Sequence, residues 1–141
     1  MNPYAKYQES QIKTADPGRL ILMIYDGAII FLQQSKDLIK RKDFVEKSVK
    51  ITKVQDILIE LMAALNMEAG SVAINLKALY AYMIKRLFDA NGQKDVSAID
   101  ETIRILVELR EAWDTIINRP DVENKMSPNR FNITPEKVVQ L

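Results

Sequence analysis

The sequence contains neither histidine nor cysteine in its 141 residues. Those two gaps exclude more than any motif includes. Without histidine there is no phosphorylatable imidazole for a four-helix phosphotransfer module and no Glu-x-x-His pair for a ferritin-like di-iron bundle. Without cysteine there is no C-x-x-C-H haem attachment, no disulfide and no thiol nucleophile, which suits a reducing cytoplasm. Triad-based catalysis falls with them. Neither a G-x-G-x-x-G turn nor a P-loop is present. The sequence therefore predicts no enzyme: no catalytic residues, no cofactor and no metal. Glycine and proline are scarce, at four and five residues, and aromatics make up only 7%. Twenty basic residues against nineteen acidic ones leave a net charge of +1, so no nucleic-acid footprint is expected. No apolar run approaches the ~20 residues of a membrane span. The start, Met1-Asn2-Pro3-Tyr4, lacks the basic region and apolar core of a signal peptide. The expectation is a cytoplasmic protein of one domain.

What is present is helical periodicity. Asp16 can cap a helix with Pro17 at its first position, where the missing N–H costs nothing. That helix runs to about Lys40. Asp43 with Glu46 makes a capping-box-like start for a second, reaching about Met67 and stopping near Gly70. Ser71 is a candidate N-cap for a third, with Asn91-Gly92 as its stop signal. Asp95 or Ser97 starts a fourth, which ends before Pro120. Breaks this short place consecutive helices antiparallel. The predicted fold is all-α: an antiparallel up-down-up-down four-helix bundle over 16–119, with a short N-terminal cap segment (1–15) and a flexible C-terminal tail (120–141).

Each helix carries a core seam. On the first it is Leu20, Ile24, Ala28, Phe31, Ser35 and Leu38. On the second, Ile51, Val54, Leu58, Leu61 and Leu65 repeat at three and four. The third offers Val72, Leu76, Leu79, Tyr80, Met83 and Leu87, and the fourth Ile99, Ile103, Leu106, Trp113 and Ile117. These read as ordinary core.

Apolar residues are left over. Leu22 and Ile29 fall on the far side of the first helix, with Met23 and Ile30 beside them and Tyr25 in the same stretch. Val45, Val49, Thr52, Ile59 and Ala63 share a face of the second. Ile74, Ala78, Ala81, Tyr82 and Phe88 lie away from the seam of the third, and Ile105, Leu109, Ala112 and Ile116 flank that of the fourth. Aligned apolar stripes on several helices of a small bundle mean a partner groove, a wide core or self-association. Tyr4 and Tyr7 put two rings on a segment too short to stand as a helix, which suits a flap over apolar surface.

Charge adds two features. Lys40-Arg41-Lys42 with Lys47, Lys50 and Lys53 reads as a solvated basic corner. Arg110 falls inside the apolar arc of Leu106, Trp113 and Ile117, so it must pair or snorkel; Glu111, Asp114 or the face of Trp113 are the expected partners.

The early tyrosines Tyr4 and Tyr7, the stretch TADPGRLILMIYDGAIIFL from Thr14 to Leu32, and the late Leu109-Arg110-Glu111-Ala112-Trp113 together resemble flagellar export chaperones of the FliS family, over roughly residues 4 to 117. The resemblance implies a cytoplasmic bundle that binds the disordered C-terminal segment of flagellin, prevents premature polymerisation and assists delivery to the type III export gate. It implies that Tyr4 and Tyr7 cap part of the groove when no client is present. On this reading the partner-binding residues are Tyr4, Tyr7, Leu22, Tyr25, Ile29, Val45, Val49, Thr52, Ile59, Ile74, Tyr82, Ile105, Leu109 and Ala112. The other partner is the cytoplasmic domain of the export gate, and the protein is a monomer or weak homodimer. The alternative is a self-associating helical adaptor bundle with no client.

Overall fold

A computed structural model describes residues 16–118. The expected cap segment with Tyr4 and Tyr7, and the expected tail from 120, lie outside the described residues. Four helices follow in order: α1 (Pro17–Lys40), α2 (Phe44–Ala63), α3 (Ser71–Gln93) and α4 (Val96–Ile117), with a single 3₁₀ turn, Met67–Ala69, between α2 and α3. No strand occurs among the described residues, and no helix there is long and apolar enough to cross a membrane.

The helix starts follow the sequence grammar. Asp16 accepts a hydrogen bond from the Arg19 N–H at 2.8 Å, with Pro17 at the first position. Asp43 accepts from the Glu46 N–H at 3.2 Å. Asp95, not Ser97, caps α4, accepting from the Ser97 N–H at 3.0 Å and from its hydroxyl at 2.6 Å. Ser71 is already the first helical residue of α3; the cap position belongs to Gly70, whose φ of 80° favours glycine.

The helix ends depart from it. Asn91 and Gly92 lie inside α3, which closes two residues later on Lys94 in the left-handed region, φ 56°. The Asp95 N–H then reaches back to the Ala90 carbonyl at 3.2 Å. The same device ends α1. Lys42 has φ 60°, the Asp43 N–H donates to the Leu38 carbonyl at 2.9 Å and the Lys42 N–H to that of Ile39 at 3.0 Å, the paired bonds of a Schellman motif. A lysine replaces the usual glycine in both. The Lys94 ammonium lies 3.8 Å from the Phe44 ring centroid, a cation–π contact that offsets part of the backbone cost.

Cross-helix contacts fix the topology. Gly18 faces Ile117, Asp26 pairs with Arg110 and Lys36 pairs with Asp100, so α1 and α4 run antiparallel. Lys47 meets Asn91 and Gln55 meets the Ile84 carbonyl, so α2 and α3 do too. α1 packs on α2 and α4, and α3 on the same two helices, which closes the up-down-up-down ring. Gly18 is needed where it stands: a Cβ there would sit 2.8 Å from Cγ1 of Ile117.

The interior holds the predicted seams of α2 complete. On α1 the buried set is Gly18, Leu20, Ile21, Ile24, Tyr25, Ala28, Leu32, Ser35 and Leu38; Phe31 is only half-buried. Val72, Leu79, Ile103 and Ile117 are likewise half-buried against the core. Three large rings share the centre. The Tyr25 and Tyr80 hydroxyls are 2.7 Å apart across the bundle, and the Trp113 indole N–H donates to the Tyr25 hydroxyl at 3.3 Å. All three rings are fully buried. Ser35 and Thr102, also buried, donate to the carbonyls of Leu32 and Ala98 within their own helices.

Burial pushes the Tyr25 hydroxyl up to about 12 from its ordinary 10.0, and burial beside Tyr25 pushes Tyr80 well up too. The folded chain holds these protons more tightly than the unfolded chain does. The associated stability is therefore whole below pH 10 and lost as pH rises towards about 12. In an alkaline titration, part of the phenolate absorbance should appear only together with loss of helical circular dichroism. Complete phenolate formation near pH 10.0 with the helices intact would contradict the buried pair.

Candidate functional site

The outward faces of α2 and α3 carry the apolar surplus. On α2, Val45, Val49, Thr52, Ile59 and Ala63 are all exposed. On α3, Ile74, Ala78, Ala81, Tyr82 and Phe88 are all exposed, Phe88 at 73%. Helical spacing sets each stripe opposite its core seam. The antiparallel register from Lys47–Asn91 and Gln55–Ile84 sets Val49 level with Phe88 and Ile59 level with Ala78. Two apolar rails thus run side by side along one pair of helices. Met67 in the connecting turn is also exposed, so apolar surface continues across that end.

Between the rails the seam is polar, and its one charge is held by neutral oxygens. The Lys47 ammonium donates to the backbone carbonyl and side-chain oxygen of Asn91, both at 2.8 Å, and the Ser48 hydroxyl donates to the same side-chain oxygen at 2.9 Å. The expected solvated corner is corrected here: Lys47 is buried, because its position on α2 points at the last turn of α3, where carbonyls attract a cation. Burial, reinforced by the neighbouring Lys94 charge, lowers its pKa. Lys50 and Lys53 set their ammonium groups 5.2 and 5.4 Å from the Phe31 ring centroid, covering the half-buried ring.

The other surplus residues sit differently. Tyr25 is corrected outright: with no exposure, and its hydroxyl bonded to Tyr80 and Trp113, it is central core and cannot touch a partner on the surface. Leu22 and Ile29 are half-buried and pack on the core, on the Asp26 flank of α1 that faces α4. Ile105 and Leu109 also pack on the core, and Ala112 is half-buried with them. These stripes are the flanks of wide seams. Phe88, already among the surplus residues of the third helix, and Met67 are exposed apolar side chains outside the expected partner-binding set; the spacing of Phe88 from Ala81 made it legible, whereas Met67 lies in a connecting turn with no period to show it.

Charge gathers on α4. Arg110 pairs with Asp26 of α1, its second nitrogen 3.2 Å from the carboxylate, rather than with Glu111, Asp114 or Trp113. The Asp26 carboxylate raises the Arg110 pKa. Glu101 binds Arg86 at 3.2 Å and accepts from the Tyr82 hydroxyl, which lowers the Glu101 pKa and raises that of Tyr82. Among the described residues every interhelical ion pair has a partner on α4, and none touches α2. An open depression of about 480 Å³ lies between the end of α1 and the start of α2, lined by Ile30, Gln33, Gln34 and Leu38 and by charged side chains including the Asp37–Arg41 pair. No metal-binding cluster occurs among the described residues.

A protein-family model described as flagellar protein FliS matches residues 1–120. The chain belongs to the FliS family. Among its relatives, the flagellar secretion chaperone FliS of Bacillus subtilis is 34% identical over 116 residues, which is 82% of this chain and 86% of that protein. FliSB of Pseudomonas aeruginosa is 38% identical over 109 residues, 77% of this chain and 86% of the relative. FliS of Salmonella typhimurium is 38% identical over 110 residues, 77% and 82% of the two chains. Membership places this chain among the flagellar secretion chaperones, a family of chaperones and not of enzymes.

The buried ammonium of Lys47 gives the seam a direct test. Replacing Lys47 by methionine keeps the length of the side chain and removes its donors. The Asn91 carbonyl then loses that partner, at a cost of about 1–3 kcal/mol. Denaturant unfolding should show this loss, with the exposed stripes of α2 and α3 untouched. Unchanged stability would mean that Lys47 is solvated after all.

Proposed function

We propose that this FliS-family bundle is a cytoplasmic export chaperone that holds the disordered C-terminal segment of flagellin on the apolar rails of α2 and α3. The observation that carries the reading is the pair of exposed stripes, Val45 to Ala63 and Ile74 to Phe88, on helices whose cores are complete without them. A monomeric protein seldom leaves aligned apolar surface of this extent uncovered. An amphipathic client laying its apolar face along the rails would fold as it binds. Ordering costs such a client several kcal/mol, so a long apolar contact is required, and two rails supply one. Binding of this kind needs no catalysis and no cofactor. Held this way, the flagellin segment is withheld from polymerisation until it reaches the export gate.

Within this reading Val45, Val49, Thr52, Ile59, Ile74 and Tyr82 contact the client directly. Leu22, Ile29, Ile105, Leu109 and Ala112, half-buried along the α1/α4 and α3/α4 seams, widen the surface available to a client that wraps beyond the rails. Tyr4 and Tyr7, on residues 1–15, serve as a displaceable cover. The protein works as a monomer or weak homodimer, and the export gate's cytoplasmic domain receives the complex.

Calorimetric titration with the C-terminal segment of the organism's own flagellin tests this. A one-to-one complex with a negative heat-capacity change is expected. The double variant Val49→Asp, Ile59→Asp should weaken binding tenfold or more. Its stability should fall by only about 1 kcal/mol, because both positions are exposed. Equal losses of binding and stability would return these residues to the core. No binding, with strong homodimerisation through the same rails, would establish the adaptor alternative instead.

A further inference from the structure

The FliS match ends at residue 120, but the chain continues to residue 141. We infer that residues 131–141 are a second occupant of the α2/α3 face, docking in cis on the end of the rails marked by Ile59, Met67 and Ile74. The inference rests on the proposed client surface for its functional meaning, though not for its geometry.

Three observations carry it. The first is position. Ile117 ends α4 beside Gly18, at the end of the bundle where α2 finishes and α3 begins. Met67 and Ile74 stand at that same end and are exposed. Neighbouring helix axes are about 10 Å apart. Residues 119–130 can extend up to about 40 Å, enough to cross from α4 to the α2/α3 face.

The second is the distribution of apolar residues along the chain beyond α4. Between 119 and 130 there are two prolines, two asparagines and charged residues, with only Val122 and Met126 apolar. From 131 on come Phe131, Ile133, Val138, Val139 and Leu141. Spacer and anchor are thus in the order that the exit point requires. Thr134-Pro135-Glu136 repeats the cap-then-proline grammar that begins α1 at Asp16-Pro17. Eleven residues in helical form cover about 16 Å, comparable to the rail from Ile74 to Ala81 and its neighbouring turn.

The third is charge. Around the Ile59, Met67 and Ile74 end, the exposed ionisable residues are Asp56, Glu60, Glu68 and Lys77, a net charge of −2. Arg130 directly precedes the 131–141 segment, and inside it Lys137 is balanced by Glu136. The segment therefore suits this end of the rails in polarity, with Arg130 at its start as the cation facing the acidic surround. A segment docked in cis shields apolar surface before the client arrives and sets a threshold that the client must exceed. Apparent client affinity then falls by the fraction of molecules with the face open.

The absence of native cysteine makes the test clean. In the full chain, Gln140→Cys takes a nitroxide label, and methyl NMR reads which side chains it broadens. Broadening of Ile59 and Ile74 is expected, and it should disappear when Val138→Asp and Val139→Asp are added. The same two substitutions, without the label, should tighten the apparent client Kd about threefold or more. Broadening elsewhere, or nowhere, overturns the inference. So does broadening seen only when labelled and isotope-enriched copies are mixed, which would make a second copy the occupant, or broadening that survives the aspartates. A client that fails to bind while Ile59 and Ile74 remain broadened would overturn the flagellin reading and leave this one standing.

Discussion

Everything in this bundle is arranged around two tyrosine hydroxyls that meet in its centre. Tyr25 from α1 and Tyr80 from α3 approach diagonally, and the Trp113 indole N–H of α4 donates into the same group. A buried hydroxyl left without a partner costs on the order of 1–3 kcal/mol, so these tips must meet. Their meeting fixes the relative height of three helices at once. A slide of one turn along any of them, about 5.4 Å, would separate the pair. The remaining core is aliphatic and tolerant of small shifts, whereas this cluster specifies one register. Gly18 against Ile117 enforces the same register by close approach, and Asp26 with Arg110 by charge.

A core specified from within leaves the outside of α2 and α3 free. The interhelical ion pairs among the described residues converge on α4, which ties it to α1 and to α3. α2 is held on α3 by Lys47, Ser48 and Gln55, whose bonds run to Asn91 and to the Ile84 carbonyl on the inner side of the seam. Apart from the Tyr82 hydroxyl on Glu101, the outward rails make none of these interhelical ties. That division suits a chaperone: the surface that takes a client can be apolar and adaptable, because the scaffold beneath it does not need it. The exposed valines and isoleucines are the stiff part of the surface, and Phe88, Tyr82 and Met67 supply the larger contacts.

Much of the fold was legible in the sequence. Asp16-Pro17, Asp43 and Asp95 announced three helix starts because side-chain caps act locally. The α2 seam was complete because strict three-and-four spacing leaves one way to bury it. The helix ends were not legible. Two lysines occupy left-handed positions at which glycine is the usual signal, and Lys94 is supported by Phe44, fifty residues earlier in the chain, which no local rule could show. Asn91-Gly92 looked like a stop and is instead interior, since Asn91 is held by Lys47 and Ser48. Long-range pairing explains the remaining misplacements. Arg110 found Asp26 on another helix, Lys47 found a helix end, and Tyr25 turned inward to Tyr80. On the candidate site, periodicity identified the exposed stripes of α2 and α3 correctly. It could not tell a wide seam from a groove on α1 and α4, because that depends on how far apart neighbouring helices sit.

The central claim is that client recognition belongs to the outward face of α2 and α3, while the tyrosine-centred core stays as it is. Methyl NMR of the full chain, recorded with and without the flagellin C-terminal segment, tests it most directly. The account predicts large shifts at Val45, Val49, Ile59 and Ile74, with Leu58, Leu106 and the other core methyls nearly unmoved. Shifts confined to α1 and α4, or spread through the core, would contradict it.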